Sequence, residues 1–256
     1  MLLINDISFQ YDDGDGFAIK NLNLSVQSGE FITILGPNGS GKSTLLGLIL
    51  GNLNPRTGEI VFQDKPYSQY SKRGLAQKIS FVPQRYYSVF PFSVFEIVMM
   101  GRTPYLNSLG FEKQTDIQTV NDALKEVGIH HLRNKSINSI SGGEAQRAFI
   151  ARALVQEPEL ILLDEPNAHL DLEHQISIFE LLKKLNIENR VTIIVVSHDL
   201  NLAGYYGSRT ILMQNGEIFL DDHKSLVLTE ANIASVFNVN AKIIKNNDHI
   251  NIAVYP

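Results

Sequence analysis

Between Ile34 and Thr44 the chain reads Ile-Leu-Gly-Pro-Asn-Gly-Ser-Gly-Lys-Ser-Thr, which contains the spacing G-x-x-x-x-G-K-S/T. Gly36, Gly39 and Gly41 lack the Cβ atoms that would stop the backbone turning its N–H groups inward, and a concave run of N–H groups holds phosphate oxygens. Pro37, Asn38 and Ser40 complete the loop. Lys42 is placed to reach the β- and γ-phosphates, Ser43 to ligate Mg²⁺, and Thr44 to help hold the α-phosphate. The chemistry implied is capture of a nucleoside triphosphate, with the positive end of the following helix adding to the cradle.

Two further strand tips carry groups suited to phosphoryl transfer. Leu160 to Leu163 and Val191 to Val196 are short continuous apolar runs, as expected of parallel strands covered on both faces. Asp164 and Glu165 follow the first, and His198 follows the second. Phe31 to Leu35 ends in the same way at Gly36, so all three tips are expected along one sheet edge, where open α/β sheets bind ligands. Asp164 is suited to hold a Mg²⁺ shell; Glu165, pointing differently, is suited to polarise an attacking water. Ser141-Gly142-Gly143-Glu144 is a capping box in front of the helical run Ala145 to Val155. Its two glycines leave first-turn N–H groups uncovered, which predicts a second anion-binding helix end. A chain with two such ends is expected to share its nucleotide between two copies.

The elements that must position these groups can be read from the apolar pattern. The helix after Lys42 carries Leu45, Leu46, Leu48, Ile49 and Leu50, and residues 1–35 and 58–63 read as strands. Asp12-Asp13-Gly14-Asp15-Gly16 reads as a hairpin turn, not a calcium loop, because Phe17 stands where another oxygen ligand would be needed. From about Ser93 to Ser139 apolar residues such as Val94, Ile97, Val98, Val120, Ala123, Leu124 and Val127 recur at helical spacing, which predicts an inserted helical lobe. Beyond Ile211, Asn215-Gly216 predicts a hairpin, followed by a short helix and two last strands.

Composition narrows the classes. With 256 residues, 44% of them apolar, the chain can bury a sizeable core as one domain with closely packed lobes. Zero cysteines exclude disulfides, thiol catalysis and cysteine metal sites. The N-terminal residues lack the order of a signal peptide, so the expectation is a protein that stays inside the cell. No apolar run approaches the ~20 residues needed to cross a bilayer. A formal charge of −5 weighs against a broad basic surface, and no nucleic-acid partner is expected.

Taken together, these motifs resemble the nucleotide-binding subunit of an ATP-binding cassette transporter over essentially the whole chain. Ser141 to Glu144, with Gln146 and Arg147, resembles the family signature, with Ile140 where a leucine usually leads. Gln84, in Val-Pro-Gln, resembles the Q-loop glutamine that contacts Mg²⁺ and water. Ala168-His169-Leu170-Asp171 resembles the D-loop, which assigns Asp171 to the nucleotide site. His198 resembles the switch histidine that reaches the γ-phosphate, and Tyr11, in Phe-Gln-Tyr, resembles the aromatic that stacks on adenine.

The resemblance implies an α/β fold: a P-loop NTPase core, with a mixed sheet wrapped by helices, an antiparallel β subdomain and an inserted α-helical subdomain. Residues 1–84 and 157–256 would form the ATP-binding core lobe, and residues 85–156 the helical subdomain with the signature. It also implies ATP and Mg²⁺ as cofactors and a head-to-tail homodimer, in which Ser141 and Gly143 of one copy close over ATP held by Lys42 of the other. Met100-Gly101-Arg102-Thr103-Pro104-Tyr105-Leu106 and Ser197-His198-Asp199-Leu200-Asn201-Leu202-Ala203 are similar to ATPases of importers for ferric siderophores, haem and cobalamin. Such a subunit would sit on the cytoplasmic face of the bacterial inner membrane. Permease subunits would dock near Gln84 to Phe95, where aromatics are dense, and a periplasmic or lipid-anchored substrate-binding protein would act through them. The alternative within transport is an importer of zinc, manganese or another small solute. A DNA-repair ATPase is disfavoured because the interval from Gln84 to Ser141 has no heptads, and a translation factor because the chain holds one cassette.

Overall fold

The computed structural model of the chain describes every residue except 13–15, 85–88, 107–110, 247–248 and 256. Among the described residues the strands are β1 (Leu2–Phe9), β2 (Ile19–Val26), β3 (Phe31–Leu35), β4 (Thr57–Phe62), β5 (Lys65–Pro66), β6 (Ile79–Val82), β7 (Leu160–Asp164), β8 (Thr192–Val196), β9 (Arg209–Gln214), β10 (Glu217–His223), β11 (Asn240–Asn246) and β12 (His249–Tyr255). The helices are α1 (Lys42–Ile49), α2 (Lys72–Ala76), α3 (Val94–Met99), α4 (Gln114–Glu126), α5 (Gly142–Leu154), α6 (Leu172–Asn189), α7 (Leu200–Tyr206), α8 (Lys224–Val227) and α9 (Glu230–Phe237).

A mixed sheet runs β10-β9-β3-β8-β7-β6, and a separate antiparallel sheet runs β2-β1-β4-β5. Within the mixed sheet β9 and β10 pair antiparallel, and the other neighbours are parallel. Strands β3 and β8 are buried along their whole length. Because side chains alternate across a strand, each parallel strand feeds two cores. Ile161, Leu163, Ile193 and Val195 join the core formed with the helices α3 to α6. Leu160, Leu162, Ile194 and Val196 join the core formed with α1 and the antiparallel sheet. Burial of each such side chain contributes about 1.5–3 kcal/mol, enough that these runs cannot be strands exposed on one face. A third cluster holds the β11–β12 hairpin against α7 and α9 through residues such as Ala203, Ile233, Ile250 and Ile252.

Asn215 and Gly216 both take positive φ, 53° and 84°, as a tight hairpin between β9 and β10 requires. After that hairpin the chain forms two short helices, α8 and α9, where the sequence predicts one. The Asp12–Gly16 turn falls largely outside the described residues. In the stretch expected to be helical, α3 carries a full capping box between Ser93 and Glu96, and a 3-10 segment follows over Met100–Tyr105. That segment is a brace. Arg102 is buried and bonds Asp116 at 2.9 Å, the Val155 carbonyl at 2.6 Å and Glu157 at 2.8 Å, with its guanidinium 3.9 Å from the Tyr105 ring centroid. A Cβ on Gly101 would lie 2.2 Å from the Arg152 carbonyl oxygen, so the segment can approach α5 only through glycine.

Candidate active site

The phosphate loop leaves β3 through Gly36, where a Cβ would lie 2.3 Å from the Met213 carbonyl oxygen and 2.7 Å from Ser40 Oγ. Any side chain there would push the loop off the sheet. Gly41, at φ 100°, begins α1, and no side chain caps that helix. Its N-terminal N–H groups therefore face into the loop, and no side chain among the described residues caps them. The Lys42 ammonium donates to the carbonyls of Gly36 at 2.8 Å and Pro37 at 2.9 Å. Burial pushes its pKa down, against the opposing pull of Glu165 and Asp164. Tyr11 stands beside the first turn of α1, its hydroxyl 3.2 Å from that of Thr44. Its ring meets Phe9 edge-on, and the residue is 48% exposed, which leaves a face for stacking.

Parallel register aligns the remaining groups. Val82 pairs with Leu163, Asp164 with Val196 and Ile34 with Val196, so β6, β7, β8 and β3 end together. Gln84, Glu165, His198 and Gly36 lie just beyond these ends. Glu165 takes φ 47°, the left-handed region that is costly for a side-chain-bearing residue and is kept where function requires it. The turn places its carboxylate between two donors: Oε2 accepts from Gln84 Nε2, and Oε1 pairs with His198 Nε2. Asp164 points the other way and accepts from the Ser43 hydroxyl. Burial raises its pKa, outweighing the Ser43 hydrogen bond and Lys42. A half-buried carboxylate beside a hydroxyl and near an amide is a hard-oxygen set that suits Mg²⁺. No cluster of three His, Asp or Glu that could hold a metal exists among the described residues. The ion would therefore need the phosphates to complete its shell, the usual way Mg²⁺ is held.

The second helix end differs from what its glycines lead one to expect. Ser141 Oγ accepts from the Glu144 N–H at 3.3 Å, and Glu144 Oε2 accepts from the Ser141 N–H at 2.8 Å. The Ser141 backbone hydrogen bond, foremost, holds the Glu144 carboxyl below the usual range. A donor is thus already used and a negative charge already sits at this helix end, so it is a weaker anion site than the first. Gly143 is buried: a Cβ there would lie 2.1 Å from His174 Cδ2. Its lack of a side chain serves packing against α6, and Ser141 and Gly142 are the exposed members of the motif. Asp171 caps α6, accepting from the His174 N–H at 2.9 Å and from His174 Nδ1 at 2.6 Å.

The structure thus joins Lys42, Ser43, Thr44, Tyr11, Asp164, Glu165, Gln84 and His198 along one sheet edge, and sets Ser141 to Glu144 and Asp171 together at the facing ends of α5 and α6. Ser40, expected to complete the phosphate loop, is buried with no hydrogen-bond partner for its hydroxyl among the described residues. One contributor escaped the sequence reading. His174 could have been noticed as the N3 residue opposite an N-cap aspartate.

The family model described as ABC transporter matches residues 19–168. Over 234 residues the chain is 38% identical to the hemin import ATP-binding protein HmuV of Rhodopseudomonas palustris strain HaA2, covering 88% of this chain and 87% of that one. Over 233 residues it is 34% identical to the "Probable siderophore transport system ATP-binding protein YusV" of Bacillus subtilis strain 168, covering 91% and 85%. Among solved structures, a metal-chelate type ABC transporter in an inward-facing conformation superposes with a TM-score of 0.86 at 31% identity, covering all of this chain and 96% of that one.

Proposed function

Because this chain belongs to the ABC transporter family, we propose that it is the ATP-hydrolysing subunit that powers import of a metal chelate (ferric siderophore, haem or cobalamin) through a membrane permease. The observation that carries the hydrolytic part is the Gln84–Glu165–His198 arrangement beside the phosphate loop. ATP enters as substrate, its phosphates on the loop N–H groups and Lys42, its base against Tyr11. Ser43, Asp164 and Gln84 hold Mg²⁺, which when bound neutralises charge on the phosphates. Glu165 accepts the proton of the attacking water; Gln84 and His198, at its two oxygens, keep the carboxylate aimed. His198, at the end of β8, is within reach of the γ-phosphate once it releases Glu165.

Two copies pair head-to-tail, so that Ser141 of one closes over the nucleotide of the other. Because Ser141 Oγ accepts from the Glu144 N–H, its hydroxyl hydrogen stays available as the donor for that contact. In this reading residues 85–156 are the helical subdomain with the signature, and 1–84 with 157–256 the ATP-binding core lobe. The permease docks near Gln84 to Phe95. Within this stretch Phe90 is 65% exposed, and beside it opens a cleft of about 580 Å³ lined by Phe92, Phe95, Glu96, Met99, Met100 and Leu106; residues 85–88 lie outside the described residues. A periplasmic or lipid-anchored binding protein delivers the cargo to the permease. No helix among the described residues is long and apolar enough to cross a membrane, so attachment to the cytoplasmic face runs through the permease.

The cargo reading is supported by the likeness to hemin and siderophore import proteins. Uptake of labelled ferric siderophore, haem, cobalamin, zinc and manganese, with and without the gene, tests it. Loss of one chelate is expected; loss of zinc or manganese alone would defeat it.

A further inference from the structure

His174 stands between the signature helix and the segment that ends in Asp171, and three rungs tie those elements together. A Cβ on Gly142 would lie 3.4 Å from Leu170 Cδ2, an ordinary packing distance. Gly143 has room for no side chain, because the His174 ring occupies that space, with Cδ2, Cγ and Nε2 at 2.1, 2.8 and 3.0 Å from an added Cβ. One turn further, Arg147 donates to the Val127 carbonyl at 2.7 Å and to Ser177 Oγ at 3.3 Å, and Ser177 donates to the His174 carbonyl at 3.2 Å. The spacing is i, i+4 on α5 and i, i+3 on α6, so the rungs lie along one seam.

The chemistry at His174 fixes its orientation. Asp171 is held below the usual carboxylate range by the His174 backbone hydrogen bond, foremost, and by its side-chain bond. A carboxylate only accepts, so His174 Nδ1 carries the proton and donates to Oδ1 at 2.6 Å. The ring is thereby pinned at one edge by Asp171, while its other edge fills the space above Gly143.

We propose that His174 is a positioning residue for hydrolysis: it sets the place of Asp171 relative to the signature helix of the same copy, and so passes movement of Ser141 to the Asp171 segment. This rests on the shared-site reading above, in which Ser141 acts on the partner's nucleotide. Under that reading Ser141 and Asp171, set together at the starts of α5 and α6, belong to the same closing surface, and His174 is the side chain that fixes one against the other. The bond to Asp171 holds that spacing, so its loss should misplace Asp171 while each copy still binds ATP.

The test separates the two readings. Glu165→Gln alone, with ATP, must give a dimer by size-exclusion chromatography; its failure to do so sinks the shared site and leaves His174 no role. With that dimer established, His174→Ala is expected to leave ATP affinity of the monomer and KM within about twofold and to lower kcat about 10- to 100-fold through misplacement. His174→Asn, which keeps a nitrogen donor near the Nδ1 position, should recover much of kcat. Asp171→Ala and the His174→Ala/Asp171→Ala double variant complete a cycle, in which the double should be no slower than the worse single if His174 works through Asp171. Additive losses, an unchanged kcat in a folded His174→Ala protein, or no recovery by asparagine would overturn the assignment. Should His174→Ala fail to fold, the asparagine variant decides alone: a kcat no higher than that of Asp171→Ala would refute the assignment.

Discussion

Helices α1 and α5 both start from glycine-containing turns, yet the structure completes one start and leaves the other incomplete. At α1 no side chain caps the first turn, and the charges around it are held away from their preferred forms: burial lowers the pKa of Lys42 and raises that of Asp164. At α5 a reciprocal cap joins Ser141 and Glu144, and hydrogen bonds favour the charged form of Glu144. The first end is electrostatically unfinished without phosphate and a cation; the second is finished without either. A strong ligand site and a closing surface can therefore look alike in sequence, with glycines before a helix in both. They differ in whether the fold has already satisfied the groups they present.

The largest test of this contrast removes the base at the first end. Glu165→Gln is expected to lower hydrolysis on the order of 10²–10⁴-fold, the range for loss of general base catalysis, while ATP binding persists because the cradle is untouched. ATP should then trap a dimer on size-exclusion chromatography. Reduced hydrolysis with no such dimer would break the pairing of the two ends. Ser141→Arg should instead lower activity with little change in monomer affinity for ATP, since a bulky side chain obstructs closure and not capture. Mixing Ser141→Arg with Lys42→Ala leaves one composite site with an intact Lys42 and an intact Ser141 in each heterodimer. Recovery of some hydrolysis on mixing is the expected result, and none in demonstrated heterodimers would count against head-to-tail pairing.

Much of the first end was legible because its chemistry is local. The spacing from Gly36 to Thr44 and the apolar strand before it suffice to place a backbone cradle. The tips after Leu163 and Val196 were legible for the same reason: continuous apolar runs announce parallel strands, and parallel strands end on one side. What could not be read is contact made across the fold. The turn of Glu165 at positive φ, and the bonds that both Gln84 and His198 make to it, depend on β6, β7 and β8 being neighbours. Gly143 looked open because sequence shows a missing side chain and not the His174 ring that replaces it. Arg102 was legible only as part of a stretch similar to metal-chelate importer ATPases, whereas its partners Asp116 and Glu157 reach it only after α4 and the end of α5 have packed.

A smaller effect should appear in stability. The folded pKa of Asp164 lies above its unfolded value near 3.9, so the folded state binds that proton more tightly; stability is lost as pH rises through the window, and the cost is fully present at neutral pH. Asp164→Asn is therefore expected to abolish hydrolysis yet raise the melting temperature of the nucleotide-free protein, by about 2–4 °C for each kcal/mol recovered. Thermal denaturation at neutral pH checks it. A lower melting temperature would mean that the Ser43 hydrogen bond outweighs burial, and that this end is not strained as the comparison holds.

The smallest effect belongs to the second end and has the opposite sign. Ser141→Ala removes the oxygen that receives the Glu144 N–H, and loss of an N-cap typically costs about 1 kcal/mol. The melting temperature should fall, where neutralising Asp164 raises it. The charge on Glu144 adds a pH signature. Its folded pKa lies below the unfolded value near 4.3, so its contribution is present above that value and is lost as pH falls through the depressed one. Glu144→Gln should thus be less stable than the parent chain at neutral pH, and the gap should close as acid protonates Glu144 in the parent. Urea denaturation of both proteins at neutral pH and at about pH 3.5, below that unfolded pKa, compares them directly. A gap that stays constant into acid would mean that the cap works through shape alone, and that charge does not distinguish the α5 end from the α1 end.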